Sequence, residues 1–200
     1  MLTQASKTNT PRCGATPTAS RIRQQGLDGR ARAHYDRNMI KGLHHNAYRC
    51  RDSEQTRRFY EDFLGLELAN AFEINETKSG RKTSVLHSFY QLDDGSFLAF
   101  FEAPDMPFEF KDQHDYDLHI ALEVSRPALD ALLARGKAAG VETRGISDHG
   151  FIESIYFRDP NGYVIELTAR REGYEPPADA HAMARETLDR WQVQKPSTSR

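Results

Sequence analysis

Cysteine is scarce in this 200-residue chain, which contains only Cys13 and Cys50. One falls in a predicted tail and the other in a predicted strand, so we expect no structural disulfide and a reducing, cytoplasmic location. The chain also lacks an excess of positive charge, since its formal net charge is −2, and it has no apolar run of membrane-spanning length. These absences predict that neither nucleic acid nor a membrane is a partner.

The composition, with 38% hydrophobic and 28% charged residues, is that of one globular domain. Residues 1–38 differ from the rest, because they hold seven Lys or Arg against two Asp and show no apolar periodicity. We interpret them as a disordered extension or, alternatively, as an organelle transit peptide. The predicted folded domain covers residues 39–170. Residues 171–200 are predicted to form a C-terminal helix, at about 178–191, and a tail.

Two segments of the domain are similar to each other. His45-Asn-Ala-Tyr-Arg-Cys50 and His119-Ile-Ala-Leu-Glu-Val124 share the order His, any residue, Ala, two residues, then an apolar residue or Cys. Each is followed by a helical pattern that stops at a glycine, the first over residues 53–64 with Ser53 as N-cap and the second over residues 127–139. Strand-like runs and a turn then lead to a final apolar strand. The predicted fold is α+β, with two paired βαβββ modules that form a curved mixed-sheet cup with the helices outside.

Side-chain alternation along the strands predicts which residues face the cup. The even-numbered residues from Leu118 to Val124 form a continuous apolar face, so His119 points the other way. The repeat then selects His45, rather than His44, for the cup. The side chains predicted to face it on these strands and on the last one are His45, Ala47, Arg49, His119, Ala121, Glu123 and Glu166.

Two histidines and one glutamate are therefore predicted to converge as metal ligands: His45, His119 and Glu166. Taken singly, each is more often a hydrogen-bonded or solvated residue than a ligand. The repeat places two of them equivalently and a carboxylate lies on the matching face, which favours metal. Two imidazoles and one carboxylate leave about three octahedral positions open, as a catalytic site requires.

Residues 40–169 resemble the glyoxalase / bleomycin-resistance / extradiol-dioxygenase superfamily, also called vicinal oxygen chelate. The resemblance rests on the paired His strands and on the run Asp159-Pro-Asn-Gly-Tyr-Val-Ile-Glu166. The longer run from His149 to Glu166 is similar to the signature of type I extradiol ring-cleaving dioxygenases, with Ser147 as a departure. That resemblance implies that Glu166 binds iron and that His149 and Tyr156 contact the substrate as catalytic residues. The alternative interpretation is that His149 only ends a turn and that Tyr156 is an aromatic residue of a strand with no catalytic role.

Two further positions depart from the family pattern. Ser96 stands where many extradiol enzymes place a catalytic His, and neither His87 nor His114 has a spacing that argues for it as a substitute. Glyoxalase-like relatives use a fourth ligand, a Glu on the first module's last strand. The equivalent position here is Ala99, and the nearest carboxylate, Glu102, is predicted to lie on the opposite face. Ser96 bears on ring cleavage and leaves the metal ligands unaffected, whereas the missing fourth ligand favours a three-ligand, dioxygenase-like or lyase-like site over a glyoxalase I site.

The leading hypothesis is an enzyme with one divalent metal, Fe(II), that cleaves a catechol-like aromatic. Alternative metals are Mn, Zn, Ni and Mg. Alternative functions are isomerase, epimerase or lyase chemistry in the same cup, or ligand sequestration without turnover. Phe97, Ala99 and Phe101 are predicted to form an apolar wall, and Arg49 and Glu123 to pair near the cup. We expect a small-molecule partner and leave a homodimer open.

Overall fold

The computed structural model describes residues 40–112 and 114–195, so the extension predicted at 1–38 lies outside the described residues. The first module consists of β1 (His45–Arg49), α1 (Ser53–Arg57) with a π-helical continuation (Arg58–Phe63), β2 (Glu67–Glu76), β3 (Lys82–Gln91) and β4 (Phe97–Glu102). The second consists of β5 (His119–Glu123), α2 (Arg126–Ala138), β6 (Thr143–Asp148), β7 (Ile152–Arg158) and β8 (Val164–Arg170), and helix α3 (Ala180–Gln194) follows.

The two modules form two four-stranded mixed sheets of identical topology. Sheet A has the order β1-β4-β3-β2, and sheet B has the order β5-β8-β7-β6. In each sheet the first strand runs parallel to its neighbour, while the other pairs are antiparallel. The predicted α+β fold of two βαβββ modules is therefore confirmed, with each module as a sheet of its own.

Local sequence explains where the helices begin and end. Asp52, not the predicted Ser53, is the N-cap of α1, since its carboxylate accepts a hydrogen bond from the Gln55 amide at 2.7 Å. Ser125 caps α2 in the same way. Gly65 and Gly140, the predicted stops, have φ angles of +89° and +67°, which glycine adopts without strain.

The core lies between the helices and one face of each sheet. Its fully buried side chains include Tyr60, Phe100, Leu129, Phe157 and Ile165. The apolar face predicted for β5 packs here too, since Ile120 is buried and Leu118, Leu122 and Val124 pack against the cluster. The opposite face of each sheet, which carries His45 in sheet A and His119 in sheet B, is called its inner face below.

A buried turn joins the two modules. The Tyr60 hydroxyl of the first module donates to the Asp159 carboxylate of the second at 2.9 Å. The Asn161 side-chain oxygen accepts from the Arg51 amide, just ahead of α1, at 2.8 Å. The Asp-Pro-Asn-Gly segment of the second half thus fixes the first helix.

Helix α3 extends to Gln194, slightly past the predicted 178–191, and has no buried residue. Among the described residues, no helix has the length and apolarity needed to cross a membrane.

Candidate metal centre

Glu166 lies at the centre of sheet B, on the middle strand β8. The strand register sets it beside Ala121 of β5 on one side and Tyr156 of β7 on the other. Only 7% of the residue is exposed. Within the described ranges, no Lys or Arg forms an ion pair with its carboxylate. A carboxylate this deeply placed is costly unless a positive charge balances it.

His119 lies next to Glu166 with its ring orientation fixed by the backbone. Its Nδ1 is 2.6 Å from the carbonyl oxygen of Asp115, which can only accept, so Nδ1 carries the proton. Nε2 then faces the Glu166 carboxylate oxygen Oε2, 3.5 Å away. A backbone carbonyl that holds the remote ring nitrogen is the usual support of a metal-binding histidine.

Tyr156 and His149 extend this cluster as a short hydrogen-bond chain. The Tyr156 hydroxyl donates to Glu166 Oε1 at 3.2 Å, and His149 Nε2 lies 3.0 Å from the same hydroxyl. Since the hydroxyl proton is engaged with Glu166, His149 is the donor in the second contact. Burial and the Glu166 charge raise the pKa of Tyr156, so its hydroxyl stays protonated at neutral pH.

His45 lies on β1 of sheet A, and its described contacts are all within that sheet. Its Nδ1 is 2.8 Å from Nδ1 of His44, and its ring packs near His87 and Phe89. The described residues contain no group of three or more His, Cys, Asp or Glu side chains arranged to hold a metal ion. Of the three predicted metal ligands, His119 and Glu166 therefore lie together in a single chain, and His45 lies apart from them.

The row of sheet A that corresponds to Glu166 carries no carboxylate. There the register aligns Phe89, Ala99 and Ala47, as it aligns Tyr156, Glu166 and Ala121 in sheet B. Glu102, the other carboxylate considered as a ligand, instead accepts a hydrogen bond from the Ser53 amide at 2.7 Å. Its side chain thus serves the start of α1, on the side of the sheet that the alternation predicts.

Arg49 and Glu123, also predicted to line the cup, make other contacts than those expected. The expected pairing of Arg49 with Glu123 is wrong. Arg49 donates to the carbonyl oxygens of Ala103 and Met106, whereas Glu123 pairs with Arg170 at 2.7 Å. The partners of Arg49 lie just after β4, and that of Glu123 lies on β8.

The three residues predicted to form an apolar wall lie together on the inner face of sheet A, and none of them lines the cavity described below. Phe97 and Phe101 are half-buried there, with Ala99 between them. Ala99 is fully buried rather than open. Ala47 and Ala121 are exposed beside His45 and Glu166, respectively. Ser96 offers no base, because its hydroxyl donates to Asp94 at 2.6 Å.

A cavity of about 450 Å³ opens beside His119, Tyr156 and Glu166. The residues of its lining that the sequence did not predict are Asp115, Tyr116, Arg144, Ser147, Phe151 and Ile152. Arg144 lies over the Tyr156 ring at 4.5 Å and forms an ion pair with Asp115. Alternation in β6 could have suggested Arg144, but a register shift between Gly145 and Ser147 interrupts that pattern.

Comparison with known proteins gives one family. The family model described as Glyoxalase/Bleomycin resistance protein/Dioxygenase superfamily matches residues 42–167. The metallothiol transferase FosB of Shouchella clausii is 27% identical over 134 residues, which are 64% of this chain and 80% of that protein.

Solved structures show the same fold. A fosfomycin resistance protein FosX variant from Listeria monocytogenes, complexed with Mn(II) and 1S,2S-dihydroxypropylphosphonic acid, has a TM-score of 0.51 at 23% identity, covering 67% of this chain and 96% of that one. A glyoxylase/bleomycin resistance protein/dioxygenase domain from Frankia sp. EAN1pec has a TM-score of 0.54 at 21% identity, covering 66% and 99%. The chain belongs to the Glyoxalase/Bleomycin resistance protein/Dioxygenase superfamily.

Proposed function

We propose that the protein is an enzyme that uses one divalent metal, held by His45, His119 and Glu166, to act on a small molecule with two neighbouring oxygen donors. The observation that carries this proposal is the pairing of His119 with Glu166, with the histidine's Nδ1 held by the Asp115 carbonyl and its Nε2 turned toward the carboxylate. FosB, named a metallothiol transferase, and FosX, solved with Mn(II), are metal-associated relatives.

The donor chemistry fits a divalent cation. A neutral imidazole nitrogen and an ionised carboxylate are common ligands of Fe, Mn and Zn, and a cation would balance the buried charge of Glu166. When bound, the metal would act as a Lewis acid toward substrate oxygens. Tyr156, held by His149, would then orient Glu166 through its hydrogen bond to the carboxylate.

The third ligand, His45, is proposed to come from a second copy of the chain. His45 and His119 hold equivalent positions in the two sheets, and the row of sheet A that corresponds to Glu166 carries no carboxylate. If sheet A of one copy faces sheet B of another, a two-fold symmetric pair contains two complete sites. This arrangement explains why one chain shows two of the three ligands together.

The proposed reaction is oxygen-dependent opening of a catechol-like ring with Fe(II). The Tyr156–His149 chain supports it, because the Tyr156 hydroxyl, backed by His149, lies beside Glu166 and would turn from that carboxylate to donate to an oxygen-derived anion. The aromatic inner face of sheet A, with Phe89, Phe97 and Phe101, supports a planar apolar substrate.

A second candidate reaction is metal-assisted addition of a thiol or water to a small oxygenated molecule. It is favoured by the likeness to FosB, whose name states thiol transfer. Arg144, the cation lining the cavity, would meet an anionic group of such a substrate.

Elemental mass spectrometry of the purified protein tests the metal. We expect about one divalent ion per chain, and loss of most of it in His45→Ala, His119→Ala and Glu166→Ala. His44→Ala is the matched control and should retain the metal. Retention by His45→Ala together with loss by His44→Ala would show that the assignment of the facing histidine is wrong.

Mixing two variants tests whether the site spans two copies. His45→Ala and His119→Ala chains, denatured together and refolded, should regain about a quarter of the wild-type metal, because half of the random pairs contain one intact site out of two. Each variant refolded alone should regain almost none. A site built within one chain would recover no metal in the mixture.

The two proposed reactions can be distinguished experimentally, because ring opening consumes oxygen and the addition reaction consumes a thiol or water. Iron-loaded protein, prepared without oxygen, is mixed with a catechol panel and oxygen while oxygen consumption and the yellow ring-opened product are followed. Oxygen uptake that depends on the metal supports ring opening. Thiol consumption with an epoxide in the absence of oxygen uptake would instead establish the second reaction.

A further inference from the structure

Helix α3 carries an apolar face that the described part of the chain leaves uncovered. None of its residues is buried, and Met183, Leu188 and Trp191 are each about half exposed. Together with the segment before it, the helix borders a groove of about 700 Å³. A helix of this length is marginal in water when it packs against nothing, and exposed apolar patches mark interaction sites. The groove is therefore a candidate surface for a partner.

The residues of α3 that line the groove have the spacing of a helix–helix contact. On an α-helix with 3.6 residues per turn, most of them lie within about 60° of Thr187, so they form one stripe along the helix. The stripe consists of Ala180, Met183, Ala184, Thr187 and Trp191, with Leu188 at its border. A second helix packs against such a stripe when two helices pair side by side.

The charged residues of α3 favour a helical partner over a membrane. Arg185 forms an ion pair with Asp189 at 2.9 Å within the helix. Glu186 and Arg190 have the same four-residue spacing, yet in the described residues neither takes part in an ion pair. Two arginines and two carboxylates give no net charge, whereas helices that lie on anionic membranes carry an excess of Lys and Arg. A partner that fits this face supplies one charge of each sign.

A second copy of α3 supplies those charges in matching positions. In an antiparallel pair centred on Thr187, Met183 of one copy lies opposite Trp191 of the other, because each is four residues from the centre. Glu186 and Arg190 lie on the same flank of the stripe, and they come within about 3 Å of each other's level along the axis across the pair. The Arg190 side chain already lies at this edge, since it donates to the Thr187 hydroxyl at 3.4 Å.

We propose that α3 is a pairing surface for a second copy of this chain. The two helices run antiparallel and cross at Thr187, and Glu186 of each copy pairs with Arg190 of the other. The same patch on both copies forms this interface, so it closes as a two-fold pair. The proposal goes beyond the metal centre and does not depend on it, because none of its residues lies in either sheet.

Disulfide cross-linking of the full chain tests the pairing. In Thr187→Cys, the substituted positions of the two copies face each other closely enough for a disulfide to form in oxidised glutathione. Peptide mass spectrometry separates this bond from any that involves Cys13 or Cys50. Val193→Cys is the matched control, because Val193 is 86% exposed and lies about 120° around the helix from Thr187. We expect at least about tenfold less cross-linked dimer in the control.

Charge reversal on the Thr187→Cys background tests the antiparallel arrangement. Glu186→Arg brings like charges together and should slow cross-linking about tenfold. Adding Arg190→Glu restores opposite charges and should return the rate to within about twofold of the Thr187→Cys chain. Trp191→Glu should slow cross-linking at least about 100-fold, whereas Val193→Glu should leave it unchanged. All of these side chains are exposed, and circular dichroism with thermal unfolding verifies that each variant is folded.

Three outcomes would overturn the proposal. The first is cross-linking of Thr187→Cys no greater than that of Val193→Cys. The second is cross-linking that Glu186→Arg does not slow, or that Arg190→Glu does not restore. The third is co-sedimentation of the unsubstituted chain with phosphatidylcholine–phosphatidylglycerol vesicles that Trp191→Glu abolishes, which would assign the groove to a membrane surface. No step of the test reads the metal content, so failure of the proposed metal site would leave this result unaffected.

Discussion

Glu166 shows how much a single residue depends on its neighbours. A carboxylate on the middle strand of a sheet is surrounded by backbone that offers it no free donors, because the amides are engaged in the ladder. In the described part of the chain, the Tyr156 hydroxyl gives it a hydrogen bond, and His119 Nε2 lies 3.5 Å from it. This combination is poor for stability on its own and well suited to a cation, which is the physical basis of the proposed site.

Replacing Tyr156 by Phe separates a role in chemistry from one in packing. The variant keeps the ring and loses the hydroxyl, so we expect an almost unchanged metal content. The turnover rate should fall about 10²- to 10³-fold, because a lost hydrogen bond to a charged intermediate costs about 2–4 kcal/mol. Folding stability should change by at most about 1–2 kcal/mol.

The measurements for this variant are elemental analysis, steady-state kinetics and denaturant unfolding. Tyr174→Phe, a half-exposed tyrosine outside the cavity lining, is the control. Full activity of Tyr156→Phe, together with full activity of His149→Phe, would remove the support for ring opening and leave the metal-binding fold.

At the scale of elements, the turn between β7 and β8 matters beyond its own sheet. Asp159 accepts hydrogen bonds from Tyr60, from the amides of Asn161 and Tyr163, and from the Asn161 side chain. The same turn holds the Arg51 amide ahead of α1 through Asn161. The first helix is therefore positioned by a segment more than a hundred residues further along the chain.

Asn161→Ala tests that connection. It leaves the Arg51 amide without its partner, and Asn161 is only 1% exposed, so water cannot easily replace it. We expect a loss of about 1–3 kcal/mol in the free energy of unfolding, measured by denaturant titration. Asp93→Ala, in the exposed turn of the first module, should stay within about 0.5 kcal/mol. Equal values for the two variants would mean that the turn does not hold α1.

Elements that follow from short-range patterns could be predicted from the sequence, whereas placements set by tertiary contacts could not. Alternation in β5 separates His119 from its apolar neighbours, and the glycine stops give the helix ends. The aromatic surroundings of His87 arise from β2, β3 and β4 together. The position of Arg144 depends on a register shift, and that of Asp115 on a loop, so neither leaves a signal in local spacing.

At the scale of the whole molecule, metal binding and association of two copies are one equilibrium in the proposed function. Metal bound only by the folded pair stabilises it by mass action. At 100 times its dissociation constant, Mn(II) should add about 2.7 kcal/mol. For a chain of this length, that corresponds to a rise of roughly 5–10 °C in Tm.

Thermal unfolding with and without Mn(II), repeated after treatment with a chelator, measures the effect. His45→Ala should show almost no rise, although its other two ligands are intact. A rise in His45→Ala as large as that in the wild type would mean that His119 and Glu166 hold the metal without a second copy.

The absence of a carboxylate at Ala99 has a consequence for how such a protein can change over generations. The two modules have the same topology, yet the second carries the central carboxylate and the first carries the aromatic wall. Mutations in β2, β3 and β4 can therefore reshape the wall around a new molecule without disturbing β8. The carboxylate proposed as a ligand and the aromatic wall thus lie in different halves of the gene, so that selection can change the wall while Glu166 stays constant.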